Sequence, residues 1–193
     1  LLLAASSAQA ALIEVRPGDD HTKLEAAKPG DIVEIYPGTY KFRVMLTAKG
    51  TAQKPIIIRA KDPAQRPVWD LAGKAVKDWP GSYTGGDRGR GAWQIRGDHY
   101  QISGIIFRNA QDVSSAGIRV INTGPVTIRD CVFANNTNGI TGSSSDFVVE
   151  FSEFDGNGKT SSSGNMSHNI YIYGGKFTLR YSYLHDPREG QNF

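Results

Sequence analysis

Tyr100-Gln-Ile-Ser-Gly-Ile-Ile-Phe107 recurs three times without gaps, as Val126-Thr-Ile-Arg-Asp-Cys-Val-Phe133, Phe147-Val-Val-Glu-Phe-Ser-Glu-Phe154 and Phe177-Thr-Leu-Arg-Tyr-Ser-Tyr-Leu184. The four starts lie 26, 21 and 30 residues apart. Self-similarity at a period of about 20–50 residues marks a solenoid, in which each copy buries its apolar side only by stacking on the next. After each block come a polar turn and a second short strand, Gly117-Ile-Arg-Val120, Gly139-Ile-Thr141 and Asn169-Ile-Tyr-Ile172. The fourth copy has reached only Asn192-Phe193 at the end of the sequence, so the chain is expected to be C-terminally truncated. The fold these blocks predict is all-β: a right-handed, single-stranded parallel β-helix whose coils lie ~4.8 Å apart.

In such a coil, positions one, three, six and eight of each block point inward. That predicts four interior ladders: Tyr100/Val126/Phe147/Phe177, Ile102/Ile128/Val149/Leu179, Ile105/Cys131/Ser152/Ser182 and Phe107/Phe133/Phe154/Leu184. Cys131 is therefore read as core. Outward positions also stack. Arg129, Glu150 and Arg180 share one column and read as an exposed salt-bridge ladder, while Arg119, Thr141 and Tyr171 share another. Asn109 and Asn135 share a turn position, which predicts an internal asparagine ladder bonding backbone groups. Length varies between the block and the second strand, and a solenoid collects such insertions on one face, often the binding face.

Working outward from the repeats, residues 98–193 are the coils and residues 61–92 read as a loop excursion rich in Gly, Pro, Asp and Trp. The glycine-rich stretch Gly85–Gly91 in it lacks the GK[ST] of a phosphate loop. Ile32–Tyr36 and Pro55–Arg59 read as strands. Residues 19–31 predict one short capping helix, begun by Asp or Thr and stopped at Pro29-Gly30. Leu1–Ala10 has the apolar run and the Ala8-Gln9-Ala10 pattern of a signal-peptide tail, so residues 11–193 form one domain of a secreted or periplasmic protein.

Composition agrees. A net charge of +3, with 39% hydrophobic and 21% charged residues, excludes disorder and a supercharged nucleic-acid binder. The first hundred residues carry +4 and the rest −1, a mild bias compatible with an acidic polymer. Twenty-two glycines imply many turns, and one cysteine excludes an internal disulfide framework or a cysteine zinc site. The leader is too short to span a bilayer.

Lys28-Pro-Gly-Asp-Ile-Val-Glu-Ile-Tyr-Pro-Gly-Thr-Tyr40 and Lys49-Gly-Thr-Ala-Gln-Lys-Pro-Ile-Ile-Ile-Arg-Ala60 resemble the N-terminal cap and first coils of secreted β-helix proteins of the pectate-lyase superfamily. Within it the opening is most similar to polysaccharide lyase family 6, the alginate lyases and chondroitinase B. His168-Asn-Ile-Tyr171 with His185-Asp186 resembles a further branch of such proteins. The resemblance implies lyase chemistry on uronate-containing polysaccharides, with a Lys and Arg pair and often a calcium ion on the substrate carboxylate. The family's acidic calcium motif is not recognisable before Phe193, so calcium is left to the full-length protein and no metal site is assigned here. The partner implied is an acidic polysaccharide, with no nucleic acid and no membrane span, and a monomer when full length.

A β-elimination needs a donor on the carboxylate, a base for the α-proton and an acid for the leaving oxygen. The densest supply is the stretch 168–188. From it His168, Tyr171, Lys176, Arg180 and His185 are the catalytic candidates, and Arg119, Tyr173 and Arg188 the substrate-binding ones. Each has a structural alternative: a turn histidine, an amphipathic strand face, a mobile surface lysine, the salt-bridge ladder, or an Asp-Pro turn at Asp186-Pro187. Glu150, Glu153, Asp155 and Asp186 lack the fixed spacing of a calcium loop. The rival readings are a noncatalytic glycan-binding or surface protein, a uronate epimerase, and a glycoside hydrolase. The last of these requires a facing carboxylate pair that the coils do not supply.

Overall fold

The computed structural model describes residues 9–72, 91–111, 115–158 and 167–193. From the N-terminus the chain runs β1 (Leu12–Val15), α1 (Thr22–Glu25), β2 (Ile32–Ile35), β3 (Thr39–Tyr40), β4 (Val44–Leu46), β5 (Ile56–Ala60), β6 (Val68–Asp70), β7 (Trp93–Ile95), β8 (Tyr100–Ser103) and β9 (Ile106–Arg108). It continues through β10 (Ala116–Thr123), β11 (Val126–Arg129), β12 (Val132–Ala134), β13 (Asn138–Glu150), β14 (Glu153–Asp155), β15 (Ile170–Arg180) and β16 (Tyr183–His185).

Every pairing between these strands is parallel, and the strands form three faces of a right-handed β-helix. The first face stacks β1, β2, β5, β8 and β11 with the second halves of β13 and β15. The second face stacks β3, β6, β9, β12, β14 and β16. On the third lie β4, β7, β10 and the first halves of β13 and β15. No helix among the described residues is long and apolar enough to cross a membrane.

The four blocks stack in the register expected of them: Tyr100 faces Val126, Val126 faces Phe147, and Phe147 faces Phe177. The interior ladders are buried through the third block and half-buried in the last. Alternation of side chains along a strand, repeated in register, places like on like. The second-face ladder extends further back than the blocks. Tyr40, Trp69, Phe107, Phe133 and Phe154 stand on this face, and Trp93 reaches in from the third face between Trp69 and Phe107, which makes one continuous run of ring contacts with centroids 4.6–5.2 Å apart. Cys131 is buried, and burial pushes its thiol up to about 12, so it is core.

Two columns of left-handed residues turn the corners. Gly104, Asp130, Phe151 and Tyr181 lie between the first and second faces, and Asn109, Asn135, Gly156 and Asp186 between the second and third. A single left-handed residue redirects the backbone sharply, which suits Gly, Asn and Asp. The internal asparagine ladder exists but one residue later than expected. Asn109 and Asn135 are half-buried and bond each other, while Asn136 and Asn157, each one residue past the corner, are buried and bonded across coils at 2.9 Å, and the amide hydrogen bonds continue at 2.7 Å through Asn169 to Asn192. The left-handed residue points its side chain outward, and the next residue points in.

Two further expectations change. The helix over 19–31 is a single turn, Thr22–Glu25, and Leu24 alone of its residues is buried. Within 61–92, Val68–Asp70 is a second-face strand paired with β3 and β9. Residues 73–90, which include most of the glycine-rich stretch, lie outside the described residues, as do residues 1–8 of the expected leader.

Candidate functional site

Met45, Gln94, Arg119, Thr141 and Tyr171 stand opposite one another in successive coils and form the outward column of the third face. Arg119 and Tyr171 are thus two coil spacings apart, about 10 Å. Tyr171 is 50% exposed. Its ring stacks on His168 at 5.4 Å and 16°, and Tyr173 lies on the same side of the strand with its ring 6.0 Å from that of Tyr171. A strip of imidazole and two phenols results.

His168 is held at both ends. Its backbone N–H donates to Asn138 Oδ1 at 3.0 Å, and its Nδ1 accepts the Gln191 amide at 3.2 Å. A neutral imidazole with an occupied Nδ1 carries its proton on Nε2, so His168 offers a substrate a donor and has no free acceptor. This weighs against the base role expected of it.

Next to Tyr173 a cleft of about 390 Å³ opens, lined by Asn122, Thr123, Ser143, Ser144 and the Gly174–Gly175 backbone. The cleft exists because strand register slips between Val120 and Thr123 and again after Gly142. Asn122 is left-handed there, and its Oδ1 accepts the Ser143 hydroxyl at 2.8 Å. Gln94 and these hydroxyl residues were absent from the sequence-based set. Gln94 is findable by aligning Trp93-Gln94-Ile95 with Ile118-Arg119-Val120, but nothing periodic announces the slip.

The other candidates are not brought to this strip. Lys176 sits at the bend of β15, with Nζ 3.3 Å from Asp146 Oδ2 in the coil beneath. Arg180 is on the first face, where it and Arg129 bond the two oxygens of buried Glu150 at 2.7 and 2.6 Å. These bonds, Arg180 foremost, hold the Glu150 carboxyl below the usual carboxylate range. The salt-bridge ladder is therefore the arrangement Arg129, Glu150 and Arg180 adopt. His185 lies on the second face, and Arg188 follows it in the turn, bonding the Asn157 carbonyl through its backbone N–H at 3.0 Å.

His185 has its own surroundings. Nδ1 is 2.8 Å from Asp186 Oδ2 and 3.7 Å from Asp155 Oδ1, while Nε2 is 3.2 Å from Glu153 Oε1. The hydrogen bond to Asp186 leads in raising its pKa above the ordinary 6.5. Asp155, His185 and Asp186 bring ligand atoms within 4.8 Å of one another. Calcium takes about six to eight oxygens, whereas this group is centred on an imidazole and Glu150 is consumed by two guanidiniums. The residues do not fit calcium.

No family model matches the chain, and no curated protein does. Solved structures match it well. Pectate lyase Pel9A superposes with a TM-score of 0.67 at 16% identity, over 89% of this chain and 46% of its own. A GH136 lacto-N-biosidase from Eubacterium ramulus gives 0.58 at 14% identity, over 89% and 43%. An alginate lyase from Paenibacillus sp. str. FPU-7 gives 0.51 at 18% identity, over 89% and 75%. What is shared at these identities is the fold, the parallel β-helix that the resemblance implied. The chain spans about half the length of Pel9A. Two of the three are named lyases and one a lacto-N-biosidase, so the architecture does not by itself choose a reaction.

Proposed function

We propose that the third face binds an acidic polysaccharide and that the secreted protein cleaves it by β-elimination, as a polysaccharide lyase. The observation that carries this reading is the in-register outward column of Arg119, Thr141 and Tyr171 with His168 stacked beside it. A linear polymer laid across the coils meets a guanidinium suited to a carboxylate and then an aromatic strip, with Thr141 buried between them. The described part of this column contains no carboxylate, which disfavours the hydrolase reading, since that chemistry uses a carboxylate pair. Secretion rests on Leu1–Ala10 alone.

In the step proposed, Arg119 neutralises the uronate carboxylate and so acidifies the neighbouring C5–H. With His168 a donor only, the step requires Tyr171 to react as its phenolate, which takes that proton. The C5–H electron pair forms the C4=C5 double bond, the C4–O4 bond breaks, and the phenol returns the proton to O4. His168 Nε2–H and the Tyr173 cleft orient the sugar. Lys176, Arg180, His185 and Arg188 have no part in the step.

The test follows the ultraviolet absorbance of the unsaturated uronate during incubation with alginate, pectate and glycosaminoglycans, with and without calcium. A rise is expected, and Arg119→Ala and Tyr171→Ala should each lower its rate at least tenfold. Retained polymer binding with no rise would replace this reading with the noncatalytic or epimerase one. Absence of binding would remove acidic polysaccharide as the partner.

A further inference from the structure

Phe151 and Tyr181 occupy the same corner as Gly104 and Asp130, and all four residues are left-handed, with φ between 50° and 75°. Glycine takes this conformation freely and aspartate readily, but a bulky aromatic residue is a rare occupant. Core packing does not require this aromatic corner, since Phe151, with a coil on either side of it, is still 45% exposed. Both are nevertheless held in place. They stack on each other at 5.0 Å and 23°, and the Arg129 guanidinium lies over Phe151 at 4.3 Å. Arg180 lies 5.9 Å from the Tyr181 ring, and buried Glu150 pins both guanidiniums. An unfavourable backbone that presents a pre-organised, exposed surface is a reason to look for a ligand.

Beside this stack a shallow cleft of about 510 Å³ extends over the second face, with Tyr183 at its far side and Arg66, Asp130 and Glu153 among its lining. We propose that this corner is a second glycan-binding site, separate from the third face, which takes neutral pyranose rings on Tyr181 and Phe151. Aromatic faces accept the C–H face of a sugar, and a few placed polar groups orient it. Asp130 and Glu153 are acceptors for sugar hydroxyls. Arg66 pairs with Asp130, Arg129 and Arg180 share Glu150, and Glu153 faces His185, so three guanidiniums stand beside three carboxylates. No excess positive charge remains to favour a uronate over a neutral sugar. The proposal holds whether or not the third face is catalytic.

Glycine separates this role from a purely structural one. If the rings serve only to clamp coils together, Tyr181→Gly weakens the fold and changes nothing else. If they serve a ligand, Tyr181→Gly relieves the backbone and removes the binding surface. The experiment is affinity electrophoresis of the whole chain through gels containing hydroxyethylcellulose, xylan or galactan, beside gels containing alginate or pectate, with urea unfolding of each variant. At least one neutral polymer should retard the protein. Tyr181→Gly should lose at least tenfold in that affinity with its urea midpoint unchanged or raised, and Tyr171→Ala should retain it. Tyr181→Asn, which also suits a left-handed backbone, should behave as Tyr181→Gly does. Retardation by no neutral polymer, or undiminished retardation of both Tyr181 variants, would overturn the proposal. So would a loss of neutral-polymer affinity in Tyr171→Ala equal to that in Tyr181→Gly.

Discussion

Phe107, Phe133 and Phe154 stack at 5.2 and 4.8 Å inside the coils, and Phe151 and Tyr181 stack at 5.0 Å outside them. One parallel register produces both stacks. Inside, every ring face is covered and water is excluded, so the hydrophobic gain alone accounts for the residue type. Outside, the rings remain in water and the backbone is left-handed, so folding energy does not account for them. The same division separates Tyr100, buried at the start of its block, from Tyr171, half-exposed on the third face. Stacking periodicity therefore identifies neighbours, and exposure separates scaffold from surface chemistry.

The division can be broken by substitution. Phe133→Ala should lower the free energy of unfolding in urea by about 3–5 kcal/mol, the usual result of emptying a fully buried aromatic site. Tyr171→Ala should change it by less than about 1 kcal/mol while removing third-face function. Equal losses in the two variants would abolish the distinction between ladder and surface.

Asparagine gives a sharper contrast, because both kinds lie at the same corner one residue apart. The Asn157 side-chain Oδ1 accepts from the Asn136 backbone and side chain, and its Nδ2 donates to the Phe133 backbone carbonyl and to Asn169 Oδ1. Asn157→Ala strands these buried partners and should cost about 2–4 kcal/mol. Asn135→Gly, at a left-handed and half-buried position, should stay within about 1 kcal/mol of wild type. A comparable loss at both sites would mean that the outer pair carries the turn.

The smallest effect is expected on the second face. His185 gains carboxylate partners on folding, from Glu153 and Asp155 on β14 and from Asp186 beside it, and its pKa rises. Its contribution is therefore complete below pH 6.5 and is lost as the pH climbs through the raised value. Urea midpoints measured from pH 6 to 8 should show a small decline in the wild type that His185→Gln lacks. Parallel curves for the two proteins would show that these exposed charges do not tie the coils together.

The repeat coils were legible because their pattern is local: eight residues, alternating sides, returning at each coil. The column of Arg119, Thr141 and Tyr171 follows from the same alignment. Val68–Asp70 was hidden in a stretch whose Gly and Pro content reads as loop, and its strand is only three residues long. The interior asparagine ladder was displaced by one because alternation breaks at a left-handed residue. Lys176, Arg180, His185 and Arg188 cluster in sequence with Tyr171, yet the chain turns three corners between Tyr171 and Arg188. Closeness in sequence therefore becomes distribution around the helix.

By itself the sequence determined the class of fold and the membership of its ladders, because side-chain alternation and in-register repetition are properties of neighbouring residues. Only the tertiary structure decided which columns share a face, where the register slips to open a cleft beside Tyr173, and that Phe151 and Tyr181 stand exposed at a corner. Those outcomes depend on how many residues separate two corners and on the backbone conformation at each, and one residue more or less moves a side chain from interior to solvent.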